Sequence, residues 1–325
     1  MEIITQPICI SIIVPVYREE TNIHPFLHRM ESVLERLKFT YEILFCLDPS
    51  PDNTEQVILD EIKRNDNIRL IKFSRRFGQP AATMAGIHLC KGNICVVIDV
   101  DLQDPPELIE EMLAKWREGY KVVYAKRRSR KGETFLKTWI SHFGNRVINK
   151  ISDVAIPSDT GDFRLMDRRV IDELKRLNES HGFLRGMVAF VGFKQTYVEY
   201  DRDERVSGTS SYNRYLGSLR IAINGIVGFS IRPLQLASIL GFLIAVGSFL
   251  VGIFFGIQKL IFHVDLPAGF TWTVVLITFL AGTQLLSIGI LGEYIGRIYE
   301  EVKNRPQYII EETENIGEYE PERIL

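Results

Sequence analysis

The chain has 325 residues, of which 46% are apolar and 25% are charged, with 39 basic against 41 acidic side chains. The formal net charge of −2 excludes a general nucleic-acid binder, because such domains are usually basic. Ordinary counts of 24 glycines and 13 prolines exclude collagen-like and low-complexity proteins. The charged residues are segregated, since residues 233–295 carry only Lys259, Asp265 and Glu293. The composition therefore predicts a soluble domain joined to a membrane domain.

The cysteines and the amino terminus both indicate a cytosolic domain. The four cysteines form no Cys-x-x-Cys pair and have no histidine at zinc-ligand spacing, so we expect buried, reduced thiols. The amino terminus carries the acidic Glu2 where a secretory signal would be basic, and its apolar run is short. The first domain is therefore expected to remain in the cytosol.

The first two thirds of the chain alternate between β-branched runs and amphipathic helical stretches. Strands are predicted at Ser11–Tyr17, Tyr41–Asp48, Ile68–Ser74, Ile94–Asp101, Lys121–Lys126 and Lys194–Tyr200. Helices are predicted at Asn22–Lys38, Asp52–Asn65, Pro80–Cys90 and Pro105–Glu118. Near-continuous apolar strands separated by helices are typical of a parallel sheet covered on both faces. The pattern predicts an α/β fold with a doubly wound, mostly parallel sheet, which binds its ligand at the carboxyl ends of the strands.

The last third of the chain predicts membrane helices. Two uncharged stretches, Pro233–Gln258 and Leu266–Gly292, each exceed the roughly 20 apolar residues that cross a bilayer. Basic residues flank this pair on its outer sides, which predicts a transmembrane hairpin with both termini in the cytoplasm. Between Leu216 and Ile226, apolar residues repeat at helical spacing. This repeat predicts an amphipathic helix in the membrane interface, and a helix packed in a protein core would show the same pattern.

The strongest local motif is DVDLQDPP at residues 99–106. It follows a buried strand, and in an extended chain Asp99, Asp101 and Gln103 would point to the same side. Three oxygen ligands at such an edge suit Mg²⁺ or Mn²⁺ that bridges substrate phosphates. The alternative is an ordinary turn in which an aspartate caps the next helix.

Polar turns also follow the first three predicted strands. They read PVYREE at residues 15–20, LDPSPDNT at 47–54 and RRFGQ at 75–79. Each turn alone is compatible with a simple strand-to-helix connection. Because all four turns lie at the carboxyl ends of parallel strands, we expect them to converge on one crevice.

These motifs resemble those of glycosyltransferase family 2, which has the GT-A fold. They are most similar to those of the polyprenyl-phosphate glycosyltransferases related to dolichyl-phosphate mannose synthase, and among these to the bacterial glucosyltransferases. The four turns are similar to the family's PVYNEE, DDGSxDGT, RNFG and DADLQDPPE segments. The resemblance extends to GDFRL at residues 161–165, RVSGTSSY at 205–212 and LGEYIGR at 291–297, and so covers almost the whole chain. The sequence departs from the family pattern at Leu47, Pro49 and Ser211, which replace an aspartate, a glycine and a lysine.

The resemblance implies four groups of site residues. The nucleotide would be bound by Pro15, Tyr17, Glu19, Asp48, Gln79 and Asp99. The metal, Mg²⁺ or Mn²⁺, would be held by Asp99, Asp101 and Gln103. The catalytic residues would be Asp101 and Asp162, where Asp162 either assists and orients the acceptor or only shapes its turn. The acceptor phosphate would be bound by Arg127, Arg202 and Arg205.

The implied activity is an inverting transfer of a hexose from a nucleotide sugar to a membrane polyprenyl phosphate. We expect glucose from UDP-glucose, with mannose from GDP-mannose and 4-deoxy-4-formamido-arabinose from its UDP donor as alternatives. A processive polysaccharide synthase would normally carry a Gln-x-x-Arg-Trp motif, which is absent here. A membrane-anchored nucleotide sensor without catalysis would have little use for the complete DVDLQDPP motif.

The expected organisation has four parts and a multimeric assembly in the inner (plasma) membrane. Residues 1–210 form the cytosolic GT-A domain, 211–231 the interfacial helix, 232–297 the two transmembrane helices and 298–325 a cytosolic tail with a short strand. Gln284 and Glu293 are costly when they face lipid, which favours a homo-oligomer, a tetramer more than a dimer. Within the tail, residues 305–310 are expected to form a strand that could pair with a neighbouring subunit's sheet. A monomer in which Glu293 reaches the headgroups is the alternative.

Overall fold

The computed structural model describes residues 9–128, 160–177, 179, 184–201, 230–260 and 269–316. Arg202 and Arg205, nearly all of the expected interfacial helix and the loop between the expected membrane helices lie outside the described residues. The chain divides into two compact units, one built on a β-sheet and the other on two long helices. The carboxyl-terminal strand belongs to the first unit.

Among the described residues, the first unit has eight strands and six helices. The strands are β1 (Cys9–Val16), β2 (Thr40–Leu47), β3 (Ile68–Phe73), β4 (Ile94–Val97), β5 (Val122–Arg127), β6 (Thr160–Asp167), β7 (Gln195–Tyr200) and β8 (Ile310–Glu314). The helices are α1 (Ile23–Leu37), α2 (Thr54–Ile62), α3 (Gln79–Leu89), α4 (Leu108–Arg117), α5 (Arg168–Arg176) and α6 (Leu184–Val191). The second unit contains α7 (Arg232–Leu260) and α8 (Phe270–Val302).

All eight strands form one mixed sheet in the order β7-β5-β6-β4-β1-β2-β3-β8. The pairs β1–β2, β1–β4, β2–β3 and β5–β7 are parallel. Strand β6 runs antiparallel to both of its neighbours, and β8 runs antiparallel to β3. The predicted α/β class and mostly parallel sheet are confirmed, with every predicted strand present within a few residues. The carboxyl ends of β1 to β4 therefore meet at one edge, as a ligand crevice requires.

The core forms where apolar periodicity matches each element. Helix α1 buries Ile23, Phe26, Leu27, Met30, Val33 and Leu34, a spacing of three and four residues that defines one helical face. Helix α3 lies directly on β1 and β2, where a Cβ on Gly86 would overlap a methyl group of Ile13 and lie 3.0 Å from Cys46 Sγ. Glycine at this position allows the helix to approach the sheet closely. Cys46, Cys90 and Cys95 are buried free thiols and Cys9 is half-buried and free.

Three details of the sheet differ from expectation. Strand β4 ends at Val97 rather than Asp101, because the chain turns there and Leu102 adopts a left-handed φ of 56°. Strand β6 was not predicted, since its Gly-Asp-Phe-Arg segment places the fully buried charged residue Arg164 in a strand. The expectation that a tail strand at residues 305–310 pairs with a neighbouring subunit is wrong for this structure. The strand lies at Ile310–Glu314 and covers the edge of the chain's own sheet at β3.

The second unit contains the two long apolar helices. Within α8, the described stretch Phe279–Val302 is long and apolar enough to cross a membrane, with a mean hydropathy of 1.2. Within α7, the described apolar stretch Arg232–Ile244 is shorter. The expected hairpin of two spans is therefore not confirmed. Glu293 lies 3.5 Å from Arg297, one turn onward on the same helix.

Candidate active site

The turns after β1 and β2 are held together by hydrogen bonds. The backbone N–H of Arg18 donates to Ser50 Oγ and that of Glu19 donates to Thr54 Oγ1, both at a distance of 2.9 Å. Asp52 fixes the second turn from within, since its Oδ1 accepts from Ser50 Oγ at 2.5 Å and Thr54 Oγ1 at 2.8 Å. Burial raises the pKa of Asp52, but these hydrogen bonds outweigh burial, so its pKa is lowered. The two turns therefore form one braced wall of the crevice.

Asp48 connects the turn after β2 to the loop after β3. Its two carboxylate oxygens accept the backbone N–H groups of Phe77 and Gly78, both at 2.9 Å, and its exposure is only 4%. Gly78 has a φ of 89°, which favours glycine over other residues. The predicted nucleotide contact of Asp48 would have to use lone pairs that these two bonds leave over. In this structure Asp48 holds the loop.

Tyr17 and the loop after β3 meet in a cation–π contact. The guanidinium carbon of Arg76 lies 3.9 Å from the centre of the half-buried Tyr17 ring. Pro15 is half-buried at the end of β1, and Glu19 is half-buried with its Oε2 accepting from Asn22 at 2.5 Å. Tyr17 thus presents a flat ring with a cation above it, a surface on which a base can stack. The residues predicted for the nucleotide all lie on the first four turns.

Asp99 carries the most perturbed carboxyl group of the site. Burial, together with the negative charges of Asp162, Asp104 and Asp101, raises its pKa to about 8. Asp99 Oδ1 accepts from Gln79 Nε2 at 2.8 Å, which links the turn after β4 to the start of α3. Several carboxylates therefore repel one another here, and a bound cation would relieve this repulsion.

The proposed metal ligands fit a hard cation in chemistry but not in the expected extended geometry. Because Leu102 is left-handed, Asp99, Asp101 and Gln103 do not continue one strand, and the Gln103 N–H instead donates to Asp101 Oδ1 at 3.2 Å. Within the described ranges, no group of three or more His, Cys, Asp or Glu side chains has a geometry that could hold a metal. The donors available are two carboxylates and one amide, all of them oxygen ligands that suit Mg²⁺ or Mn²⁺.

Asp162 lies between two arginines. Its Oδ1 accepts from Arg185 Nε at 3.1 Å and lies 3.5 Å from Nη2 of Arg164. Arg164 is fully buried, is bonded to the Gly161 carbonyl at 3.0 Å and lies over the Tyr124 ring. Burial raises the pKa of Asp162, but the charges of Arg185 and Arg164 outweigh burial and lower it. An ionised carboxylate of low pKa is a weak proton acceptor, so this environment favours orientation over general-base catalysis.

Arg127 is bound to the same cluster from β5. Its Nε donates to Tyr200 Oη at 3.1 Å, its Nη2 lies 3.6 Å from Asp104, and the Tyr200 hydroxyl donates to Asp104 in turn. Burial lowers the pKa of Arg127, but Tyr200 and Asp104 outweigh burial and raise it. Of the three expected acceptor arginines, the structure describes Arg127 alone and places it beside the carboxylates.

The structure adds four residues that the sequence did not assign to the site, namely Asp104, Arg164, Arg185 and Tyr200. Asp104 lies in the DVDLQDPP motif and Arg164 in the GDFRL motif, so these motifs could have identified both residues. Arg185 and Tyr200 lie outside the recognised motifs. Helix α6 positions Arg185 at the site and strand β7 positions Tyr200 there.

Comparisons with known proteins show which sequences and structures are similar to this chain. Residues 11–175 match the family model described as Glycosyl transferase family 2. The chain is 46% identical to the uncharacterized glycosyltransferase YkcC of Bacillus subtilis, over 94% of each chain. It is 40% identical to the bactoprenol glucosyl transferase of Shigella phage SfII, over 94% of this chain and 98% of that protein. A solved structure of glucosyl-3-phosphoglycerate synthase from Mycobacterium tuberculosis covers 68% of this chain and 78% of its own, with 16% identity and a TM-score of 0.48.

The family match spans half of the chain, and relatives of 40% identity or more extend it to nearly the full length. The resemblance found in the motifs is thereby confirmed. The chain belongs to glycosyltransferase family 2, and it is a glycosyltransferase.

Proposed function

We propose that this glycosyltransferase transfers glucose from UDP-glucose to a polyprenyl phosphate, with inversion at the anomeric carbon. The observation that carries the proposal is the 40% identity, over nearly the full length of both chains, to a protein named bactoprenol glucosyl transferase. Bactoprenol is a polyprenyl alcohol, so this name supports both the sugar and the class of acceptor. The arrangement of aspartates and arginines at one edge of the sheet supports a reaction between two phosphorylated substrates.

The turns after β1, β2 and β3 form the proposed nucleotide site. Tyr17, with Arg76 above its ring, supplies a stacking surface for the base. Pro15 and Glu19 flank this surface, and Asp48 holds the loop that carries Arg76. Gln79 and Asp99 lie next along the edge, where the diphosphate would follow.

The proposed metal, Mg²⁺ or Mn²⁺, would be held by Asp99, Asp101 and Gln103. Bound there, it would supply positive charge to the diphosphate that leaves with the nucleotide. The raised pKa of Asp99 supports this assignment. Neighbouring carboxylates cause part of the rise, and their negative charges leave a local deficit of positive charge that a cation would fill.

The acceptor phosphate is itself the proposed nucleophile. A phosphate monoester has a second pKa near 6, so it is largely ionised at neutral pH and needs no strong base. Its oxygen would form a bond to the anomeric carbon while the bond from that carbon to the UDP oxygen breaks, with the electron pair leaving on UDP. Asp162, kept ionised by Arg164 and Arg185, would orient the reacting groups. Arg127, with Arg202 and Arg205, would bind the acceptor phosphate.

A membrane location for this reaction is proposed with the acceptor. Helices α7 and α8 have 29 and 33 residues, which is enough to cross a bilayer. We propose that both cross the inner membrane, with the catalytic unit and both termini in the cytoplasm. The polar Gln284 and Glu293 of α8 favour a homo-oligomer, preferably a tetramer, and mass measurement in a mild detergent tests it.

Transfer measured with a panel of donors tests the proposed function. The full-length protein is incubated with Mg²⁺ or Mn²⁺, polyprenyl phosphate and radiolabelled UDP-glucose, GDP-mannose or UDP-4-deoxy-4-formamido-arabinose. We expect label in the lipid fraction from UDP-glucose, and no label when polyprenyl phosphate is omitted. Transfer from one of the other donors alone would overturn the choice of glucose. Transfer that does not require the lipid phosphate would overturn the acceptor.

A further inference from the structure

The segment that follows α8 is fastened along the edge strand β3. Strand β8 pairs antiparallel with β3, and the Ser74 N–H donates to the Ile309 carbonyl at 3.0 Å. Beyond the strand, Lys91 Nζ donates to the Ile316 carbonyl at 2.9 Å. The segment from residue 307 to 316, which we call the tail clamp, thus contacts the sheet at several points along its length.

Tyr308 lies in the tail clamp beside the nucleotide loop, which we define as residues 74–78. Its ring packs against Phe73, the last residue of β3, with 5.9 Å between ring centres. Its hydroxyl is 2.8 Å from Nδ1 of His88, a residue of α3. Strand β3 leads into the nucleotide loop and α3 leads out of it. Tyr308 therefore contacts both elements that frame this loop.

The nucleotide loop needs such external support. Ser74, Arg75 and Arg76 are exposed, and Gly78 has the backbone freedom of glycine. The loop nevertheless bears Arg76 on the Tyr17 ring. A loop with this composition is held in place by its flanking elements more than by its own packing.

A second aromatic contact carries the effect of Tyr308 into the loop. Phe73 packs edge-on against Phe77, with 6.2 Å between ring centres. The N–H groups of Phe77 and Gly78 are the two that Asp48 accepts. Movement of Phe73 would thus displace the bonds between the loop and the turn after β2.

We propose that Tyr308 is a positioning residue for the nucleotide-sugar site, acting through Phe73 and His88 on the nucleotide loop. The proposal rests on the proposed function, because it assigns the nucleotide loop to the donor. It predicts a selective effect on the donor, since the acceptor arginine Arg127 lies on β5, and four strands of the sheet separate β5 from β3. Displacements of about 1 Å at a site can change rates by up to about 100-fold, so a distant contact of this kind has measurable effects.

Three single variants of the full-length protein test the proposal. Tyr308→Ala removes both contacts, and Tyr308→Phe removes only the hydroxyl. Ile309→Ala is the matched control, because the Ile309 side chain is 51% exposed and its backbone bond to Ser74 remains. For each variant, KM is measured for both substrates, and the Kd of UDP and of GDP is measured by calorimetry. Thermal unfolding is followed in parallel.

We expect Tyr308→Ala to raise the KM of the nucleotide sugar and the Kd of the matching nucleotide about tenfold, with the KM of polyprenyl phosphate unchanged. Tyr308→Phe should recover most of this loss, because its ring still packs against Phe73, and Ile309→Ala should behave as wild type. Equal donor KM values in Tyr308→Ala and Ile309→Ala would overturn the proposal. A parallel change of both KM values with a lower melting temperature would also overturn it, because that is a general loss of structure.

The nucleotide Kd separates this proposal from the proposed function. If the wild type transfers no glucose but binds UDP or GDP, the proposed function fails. The ratio of the nucleotide Kd of Tyr308→Ala to that of the wild type still tests the role of Tyr308. If glucose is transferred and that ratio is near one, the proposal about Tyr308 fails while the proposed function stands.

Discussion

Strand β6 carries Asp162 and Arg164 into the site, and Asp167 anchors its opposite end. Asp167 Oδ2 accepts from Trp116 Nε1 at 2.7 Å and from Lys121 Nζ at 2.8 Å, while Oδ1 accepts the Arg169 N–H at 3.1 Å as the cap of α5. The residue is 6% exposed. We predict that Asp167→Asn destabilises the first unit substantially, since it removes the charge without changing the volume.

The structure gives the size of this effect. Hydrogen bonds to a charged group contribute about 1.5–3 kcal/mol each. The asparagine oxygen can still cap α5, whereas its NH₂ group faces the Trp116 and Lys121 donors. Lys121 is 29% exposed, so water replaces part of its interaction. We therefore expect a loss of about 2 kcal/mol, or about 4–8 °C in Tm for a domain of 150–250 residues.

The pH dependence gives this prediction a second, independent readout. Burial raises the pKa of Asp167, but hydrogen bonds from Lys121 and Trp116 outweigh burial and lower it. A lowered folded pKa means that the stabilisation is complete above the unfolded value of about 3.9 and is lost as the pH falls through the folded value. The difference between wild type and Asp167→Asn should therefore shrink as the pH falls from about 5 towards 3.

Unfolding followed by tryptophan fluorescence in detergent measures both readouts. Asp172→Asn is the control, because Asp172 is exposed and pairs with Arg168 on the same helix, so the change should alter stability by less than about 0.5 kcal/mol. An Asp167→Asn protein as stable as wild type at pH 7, or a loss equal to that of the control, would refute the reasoning.

Three further predictions concern the site and the core. Asp101→Asn should abolish transfer, measured with radiolabelled donor, and normal turnover by the folded variant would contradict the metal assignment. Arg185→Ala should raise the pKa of Asp162 and move the acidic limb of the pH–rate profile upward, and an unmoved limb would show that the 3.1 Å contact has no role in turnover. Gly86→Ala should lower stability by about 1–3 kcal/mol in thermal unfolding, because its Cβ overlaps Ile13, and an unchanged Tm would mean that α3 shifts freely.

The sequence predicted the fold where local pattern and burial agree. Strands β1 to β5 and helices α1 to α4 appear within a few residues of their predicted bounds, because apolar runs and amphipathic spacing determine both. Strand β6 was missed since its fully buried Arg164 breaks the apolar pattern and is stabilised by Asp162, carbonyl oxygens and the Tyr124 ring. Strand β8 lies four or five residues beyond its predicted position, because its sequence, IEETE, is polar and does not show the apolar pattern of a strand. It forms a strand by pairing with β3.

The site was predictable as a location and less so as a geometry. Motifs at the ends of parallel strands identify the crevice, because the topology brings these ends together. No short-range rule shows that Asp48 holds Phe77 and Gly78, that Gln103 turns back to Asp101, or that Arg185 reaches Asp162 across 23 residues of sequence. These contacts depend on how separate elements pack, which a motif does not encode.

The opposite pKa shifts of Asp99 and Asp162 divide the site into two electrostatic regions. Asp162 is ionised because Arg185 and Arg164 are built in beside it, whereas burial and neighbouring carboxylates oppose the ionisation of Asp99. Carboxyl groups whose environments separate their pKa values in this way usually serve different roles. The deficit of positive charge lies at Asp99 and Asp101, where the proposed cation and the leaving diphosphate would meet. Asp162 needs no further cation, so the arginines beside it and the nearby Arg127 suit the second phosphorylated substrate. The charge distribution alone therefore supports separate places for donor and acceptor.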